Sequence, residues 1–238
     1  MQYIIRASTA SEIRAGVKQT ECKFGSFALL FFVFWFFAAA GSRGGVLNGL
    51  DTAAFVNAVV ANPIIAAIKD DDGLEKCLVC DNIRIVFVLY GDICNIPGIV
   101  RRLKAAGKIA VVHVDLIIGL SNKEVAVDFI HHSTQADGII STRQTFIHRA
   151  KELDMNSILR VFVLDSIALS SLEKLESAHP DFIDVLPGTM PKTIRKVCSI
   201  VSVPVLTGGL IADKEDVIAA LEAGAVAIST TNQAIWEM

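Results

Sequence analysis

Two short runs late in the chain have the residue types that hold a phosphate. Gly208-Gly209 would let backbone N–H groups come close to an anion, and Ser229-Thr230 adds hydroxyl donors just before a short helix begins near Asn232. Each run also has a plainer role, a tight turn for the glycines and a helix cap for the hydroxyls. A second set of residues suits proton transfer or hydroxyl binding: Lys69, Asp92, Asp115, Arg143 and Asp165, with His113 two residues before Asp115. On a strand, that i, i+2 spacing turns both side chains to one face, as a metal or proton-transfer pair needs. The same charges can instead pair with one another, and His113 can be a hydrogen-bonded member of a packed layer. Cys77-x-x-Cys80 is half of a zinc pattern with no second pair, so no metal is expected. No GxSxG, Walker or GxGxxG motif follows a strand.

These residues share a position in the pattern of elements. After Asn62-Pro63, short apolar runs alternate with amphipathic segments. The spacing predicts strands at Ile64–Ile68, Ile85–Tyr90, Ile109–Val114, Gly138–Ser141, Leu159–Leu164, Phe182–Leu186, Pro204–Thr207 and Ala225–Ser229. It predicts helices at Ile96–Ala106, Lys123–His132, Thr145–Leu153, Met190–Ile200, Asp213–Ala223 and Asn232–Trp236. Eight such units from about residue 62 imply an α/β fold, a compact (β/α)8 TIM-type barrel, with an open doubly wound sheet as the alternative. In a barrel the polar residues named above lie at the C-terminal ends of strands, around one mouth. The turns after strands seven and eight are the usual phosphate site of that fold.

Composition narrows the class of partner. The chain has 238 residues, of which 53% are hydrophobic and 20% charged, enough apolar surface to exclude intrinsic disorder. A net charge of −3 gives no general attraction to polyanions, so contact with nucleic acid requires a local basic patch. Five cysteines without a framework spacing suit a reducing compartment. The first 45 residues form an atypical apolar extension, centred on FALLFFVFWFFAAAG, and the barrel domain is expected over 46–238. The extension reads as upstream sequence outside the functional protein, as a membrane anchor, or as a secretory signal, and the first is favoured.

Several motifs in order resemble one family. NPIIAAIKDDDGLEKCL, FVLYGDI, VHVDLIIGL, DGIISTRQTFIHRAKEL, RVFVLDSIAL, IDVLPGTMPK and VPVLTGGLIADKEDVIAALEAGAVAISTTN, with the final IW, are similar to the glycerol-3-phosphate-responsive antiterminators over residues 62–238. The resemblance implies a bacterial, cytoplasmic transcription regulator that senses glycerol 3-phosphate and binds the leader mRNA of glycerol catabolism genes. It implies an effector rather than a cofactor, and leaves the oligomeric state open, a homo-oligomer included. Under it, Gly208, Gly209, Ser229 and Thr230 would take the phosphate, and Lys69, Asp92, His113, Asp115, Arg143 and Asp165 are candidates for the hydroxyls. The basic candidates for RNA are Arg101, Arg102 and Lys104 on one helix, and Lys192, Arg195 and Lys196 on another. The competing class is an enzyme, an isomerase, lyase or phosphodiesterase type acting on a small phosphorylated metabolite, with His113, Asp115 and Lys69 as acid/base groups.

Overall fold

The computed structural model describes residues 52–172 and 176–238. The apolar extension and its three readings lie outside the described residues. Eight parallel strands close into a barrel in sequence order. They are β1 (Ile64–Ile68), β2 (Ile85–Val88), β3 (Ile109–His113), β4 (Gly138–Ser141), β5 (Asn156–Phe162), β6 (Phe182–Leu186), β7 (Val205–Gly208) and β8 (Ala227–Thr230). Closure is made by β8 on β1, with Ile64 opposite Ile228 and Ala66 opposite Thr230. That pairing leaves no sheet edge and excludes the open doubly wound alternative.

The helices are α1 (Thr52–Ala61), α2 (Asp71–Val79), α3 (Ile96–Ala105), α4 (Val125–Ser133), α5 (Gln144–Glu152), α6 (Ser166–Ser170), α7 (Pro191–Ile200), α8 (Lys214–Glu222) and α9 (Gln233–Trp236). Alternate strand residues supply the layer between sheet and helices. Val86, Val88, Ala110, Val112 and Ile139 pack with helix residues such as Leu103, Val127 and Ile130 in one buried cluster. Leu159, Val161, Ile183 and Val185 do the same with Ile147 and Val197. The residues between them therefore face the barrel axis.

Three helices depart from the sequence reading. TAAFVNAVVA has no polar face, so its periodicity gives no amphipathic signal, yet it is α1. Its Phe55 is fully buried, with its ring 5.0 Å from that of Phe182, the first residue of β6. The second, α2, starts where Asp70 accepts the Gly73 N–H at 2.8 Å, and the short α6 starts where Asp165 accepts the Ala168 N–H at 2.8 Å. Strand β5 begins at Asn156, ahead of the expected Leu159, because Asn156 and Ser157 are buried and bonded to neighbouring segments: Asn156 Nδ2 donates to Asp137 O and Ser157 N to Asp181 Oδ2.

Candidate functional site

The turns after β7 and β8 meet at one point of the mouth. Gly208 lies opposite Ser229 in the ladder. A Cβ on Gly208 would sit 2.1 Å from Ser229 Oγ and 2.9 Å from Ser229 O, so only glycine leaves room for that hydroxyl. The chain then turns through two consecutive left-handed residues, Gly209 (φ +75°) and Leu210 (φ +63°). A left-handed leucine is a strained conformation that its surroundings must enforce. Here the Gly188 N–H, from the turn after β6, donates to Gly209 O at 3.0 Å and ties the two turns together.

The two hydroxyls of β8 have different neighbourhoods. Thr230 Oγ1 donates to Ile211 O at 3.3 Å and accepts the Asn232 N–H at 3.0 Å. Thr230 O accepts Trp236 Nε1 at 2.9 Å, and Asn232 caps α9 while donating to Ala212 O at 2.8 Å. Thr230 is thus a joint that fixes the turn. Ser229 is buried, and its hydroxyl has no bonding partner among the described residues. Of the four expected phosphate contacts, Ser229 is the side chain free to accept one.

Across the mouth, Asp115 is the centre of a network. It lies in a 3-10 turn (Val114–Leu116) that follows β3 directly, so the pair with His113 is not set by strand alternation as expected. Asp115 accepts from Ser141 Oγ at 3.0 Å and from the Thr142 N–H at 2.8 Å, and forms an ion pair with Arg143 Nε at 3.3 Å. Arg143 also donates to Asn122 through both Nη groups and lies 5.1 Å from the Phe146 ring centroid. His113 is 3% exposed, with Nδ1 3.7 Å from the Asp115 carboxylate, beyond hydrogen-bond length. Burial, then the Arg160 charge, pushes the His113 imidazole down to about 4, so it is neutral near pH 7.

Sequence reasoning missed two buried charges inside the barrel. Arg160 on β5 and Asp184 on β6 stand opposite each other in the ladder and face the axis. Arg160 Nε donates to Asp184 Oδ2 at 2.8 Å, with exposures of 7% and 0%. Asp184 Oδ1 and His113 Nδ1 are both buried without a hydrogen-bond partner. A charge inside RVFVL and another inside IDVL were the signals, since an interior strand position tolerates one only when paired.

The remaining candidates are scattered. Lys69 is exposed, with no ion pair to a described residue. Asp92 holds its own loop, accepting from the Cys94 and Asn95 N–H groups at 2.7 and 3.0 Å. Asp165 is the α6 cap already described. Cys77 is buried, which pushes its thiol up to about 11, and Cys80 Sγ donates to Trp236 O at 3.6 Å. Among the described residues, no three His, Cys, Asp or Glu side chains gather as a metal site would require.

The two basic clusters also differ. Arg101, Arg102 and Lys104 do not form the open cationic face expected of α3. Arg102 binds Glu75 at 2.6 Å and Lys104 binds Asp137 at 2.6 Å, which leaves Arg101 alone. The carboxylates responsible are distant in sequence and only folding brings them close. On α7, Lys192, Arg195 and Lys196 are all exposed and have no acidic partner among the described residues.

Known proteins are similar to this one over most of the chain. A family model described as glycerol-3-phosphate responsive antiterminator matches residues 64–236. The uncharacterized protein YgcP of Escherichia coli K12 is 43% identical over 178 residues, 74% of this chain and 93% of that one. The crystal structure of the glycerol uptake operon antiterminator regulatory protein of Listeria monocytogenes superposes with a TM-score of 0.70 at 35% identity, over 73% of this chain and 94% of that one. A glycerol uptake operon antiterminator-related protein of Thermotoga maritima gives 0.65 at 33%, over 74% and 99%. Barrels below 25% identity, an aldolase and an orotidine 5'-monophosphate decarboxylase among them, share the fold alone.

Proposed function

The chain belongs to the glycerol-3-phosphate responsive antiterminator family, and from that premise we propose that it binds glycerol 3-phosphate in the barrel mouth and, when loaded, holds the leader mRNA of glycerol catabolism genes in the bacterial cytoplasm. The observation that carries the ligand half is the Ser229 hydroxyl, which bonds to no described residue, beside the Gly208-Gly209-Leu210 turn. The phosphate lies against that turn, and the glycerol end points across the mouth toward His113 and Lys69. Asp92, Asp165, Asp115 and Arg143 hold the loops and one another, and act on the ligand only through them.

For the RNA half, the exposed Lys192, Arg195 and Lys196 on α7 offer three charges to phosphates, with no ion-pair partner among the described residues. The α7 helix follows the turn Pro187-Gly188-Thr189, whose Gly188 N–H bonds the left-handed turn after β7. A ligand that orders that turn therefore bears on the segment that leads into the basic helix. If RNA and effector favour the same state, each tightens the other by the same factor. A regulator is favoured over an enzyme because two of the three acid/base candidates are engaged or mistuned. Asp115 already accepts from Ser141 and Thr142 and pairs with Arg143, and His113 is too acidic to store a proton at pH 7. No helix among the described residues is long and apolar enough to cross a membrane.

The test mixes protein, glycerol 3-phosphate and leader RNA. The reading requires RNA retention that depends on the effector, weakens with salt, and leaves the effector chemically unchanged. Charge reversal at Lys192, Arg195 and Lys196 should abolish retention and flatten its salt dependence. Retention that ignores the effector refutes it. Turnover of a glycerol or sugar phosphate, lost in His113→Ala, installs the enzyme reading in its place.

A further inference from the structure

The buried pair at the centre of the barrel has no part in the phosphate site, and its geometry is unusual for a purely structural ion pair. Arg160 uses only Nε to hold Asp184 Oδ2, at 2.8 Å. Its two Nη groups bond to no described residue, and they keep the little solvent contact that a 7% exposed side chain retains. Asp184 Oδ1, fully buried, and His113 Nδ1 have lone pairs or protons with no partner. A pair that served stability alone would satisfy these atoms, since each buried polar group left unbonded is destabilising.

We propose that Arg160, oriented by Asp184, is the residue that contacts the hydroxyl end of the effector, and that the charge balance of this pair selects a neutral polyol over a second anionic group. This rests on the reading that the mouth binds glycerol 3-phosphate. Asp184 on β6 is two strands, and Arg160 on β5 three strands, from Ser229 on β8. Neighbouring strands lie roughly 4.8 Å apart. That puts them about 10 and 14 Å from Ser229 along the wall, a gap that a phosphoglycerol chain spans only together with the long Arg160 side chain, which faces the axis. The guanidinium presents N–H donors there, and the imidazole adds acceptor or donor capacity, the complement of a vicinal diol. One positive and one negative charge cancel, and the neutral His113 adds none. A ligand ending in carboxylate would bring an uncompensated charge into this buried layer. Asp184 is a positioning residue in this scheme, since it acts through Arg160.

Calorimetric titration with three probes tests this: glycerol 3-phosphate, ethyl phosphate and 3-phosphoglycerate. The wild-type protein should bind glycerol 3-phosphate at least tenfold more tightly than either of the others. In Asp184→Asn the cluster gains a net positive charge, and 3-phosphoglycerate should gain at least tenfold relative to glycerol 3-phosphate. A lesion that merely loosened the barrel would weaken all three alike. Breaking a buried pair can unfold a protein, whereas replacing both members with apolar residues is tolerated. Arg160→Met with Asp184→Leu is therefore the second variant, verified as folded by circular dichroism. It should bind glycerol 3-phosphate no better than ethyl phosphate. Equal wild-type affinity for glycerol 3-phosphate and ethyl phosphate overturns the proposal, as does a folded double variant that keeps the preference. Failure of the wild type to bind any of the three overturns the functional reading as well.

Discussion

Substituting Gly208 by alanine tests the ligand site at its tightest point. The added Cβ would fall 2.1 Å from Ser229 Oγ and 2.9 Å from Ser229 O, where real Cβ atoms essentially never approach below 3.0 Å. The hydroxyl can rotate away, but the carbonyl belongs to β8, so the strand itself must move. Overpacking of this kind typically costs about 1–3 kcal/mol. For a domain of this size that lowers the melting temperature by about 2–12 °C. Thermal melts with and without excess glycerol 3-phosphate separate the two effects. The wild type should gain stability from the ligand, and Gly208→Ala should gain little, because its Ser229 hydroxyl has been turned out of position. Adding Ser229→Gly removes the Oγ contact and should recover part of the melting temperature without recovering the ligand effect. A Gly208→Ala protein that melts with the wild type and responds fully to the ligand refutes both the packing argument and the placing of the phosphate.

Other outcomes follow from single contacts. His113 titrates at about 4 when folded against an ordinary value of 6.5, so the unfolded chain binds its proton first as the pH falls. Its contribution is flat above pH 6.5 and becomes destabilising between 6.5 and 4, by roughly 3 kcal/mol in total. Urea denaturation of His113→Gln should lack that part of the acid slope. Asp165→Ala should lose about 1 kcal/mol, the usual worth of an N-cap, with effector affinity unchanged in titration; weakened binding would return Asp165 to the site. Trp236→Phe leaves the Thr230 carbonyl without its donor and should cost roughly 1–3 kcal/mol in chemical denaturation, with a smaller loss of effector affinity. Arg102→Ala should leave RNA retention unchanged in a mobility-shift assay, because its charge is already neutralised by Glu75.

The eight strands were legible because each is a short apolar run too brief for a helix, punctuated by glycine or proline. Closure was legible only by their number. Helix α1 was not, since a segment seated with Phe55 against Phe182 needs no polar stripe. The glycine and hydroxyl turns stood out as local dipeptides, yet their division of labour did not. That Thr230 is a joint and Ser229 is free depends on Ile211, Asn232 and Trp236 converging from separate turns. The same limit hid Arg160 and Asp184, twenty-four positions apart, whose pairing exists only once β5 and β6 lie side by side. It also made Arg102 and Lys104 look available, since Glu75 and Asp137 come to them through tertiary contact.

The seam between β8 and β1 joins Ile228 to Ile64, nearly the full described length of the chain. A ribosome must therefore have released almost everything before the ring can shut. Any product stopped short of residue 227 leaves β1 and β7 with raw borders, inviting pairing with other chains and removal by quality control. It also lacks Ser229 and the tryptophan that braces its turn. Half-made copies thus lack the proposed effector site, which exists only in finished molecules.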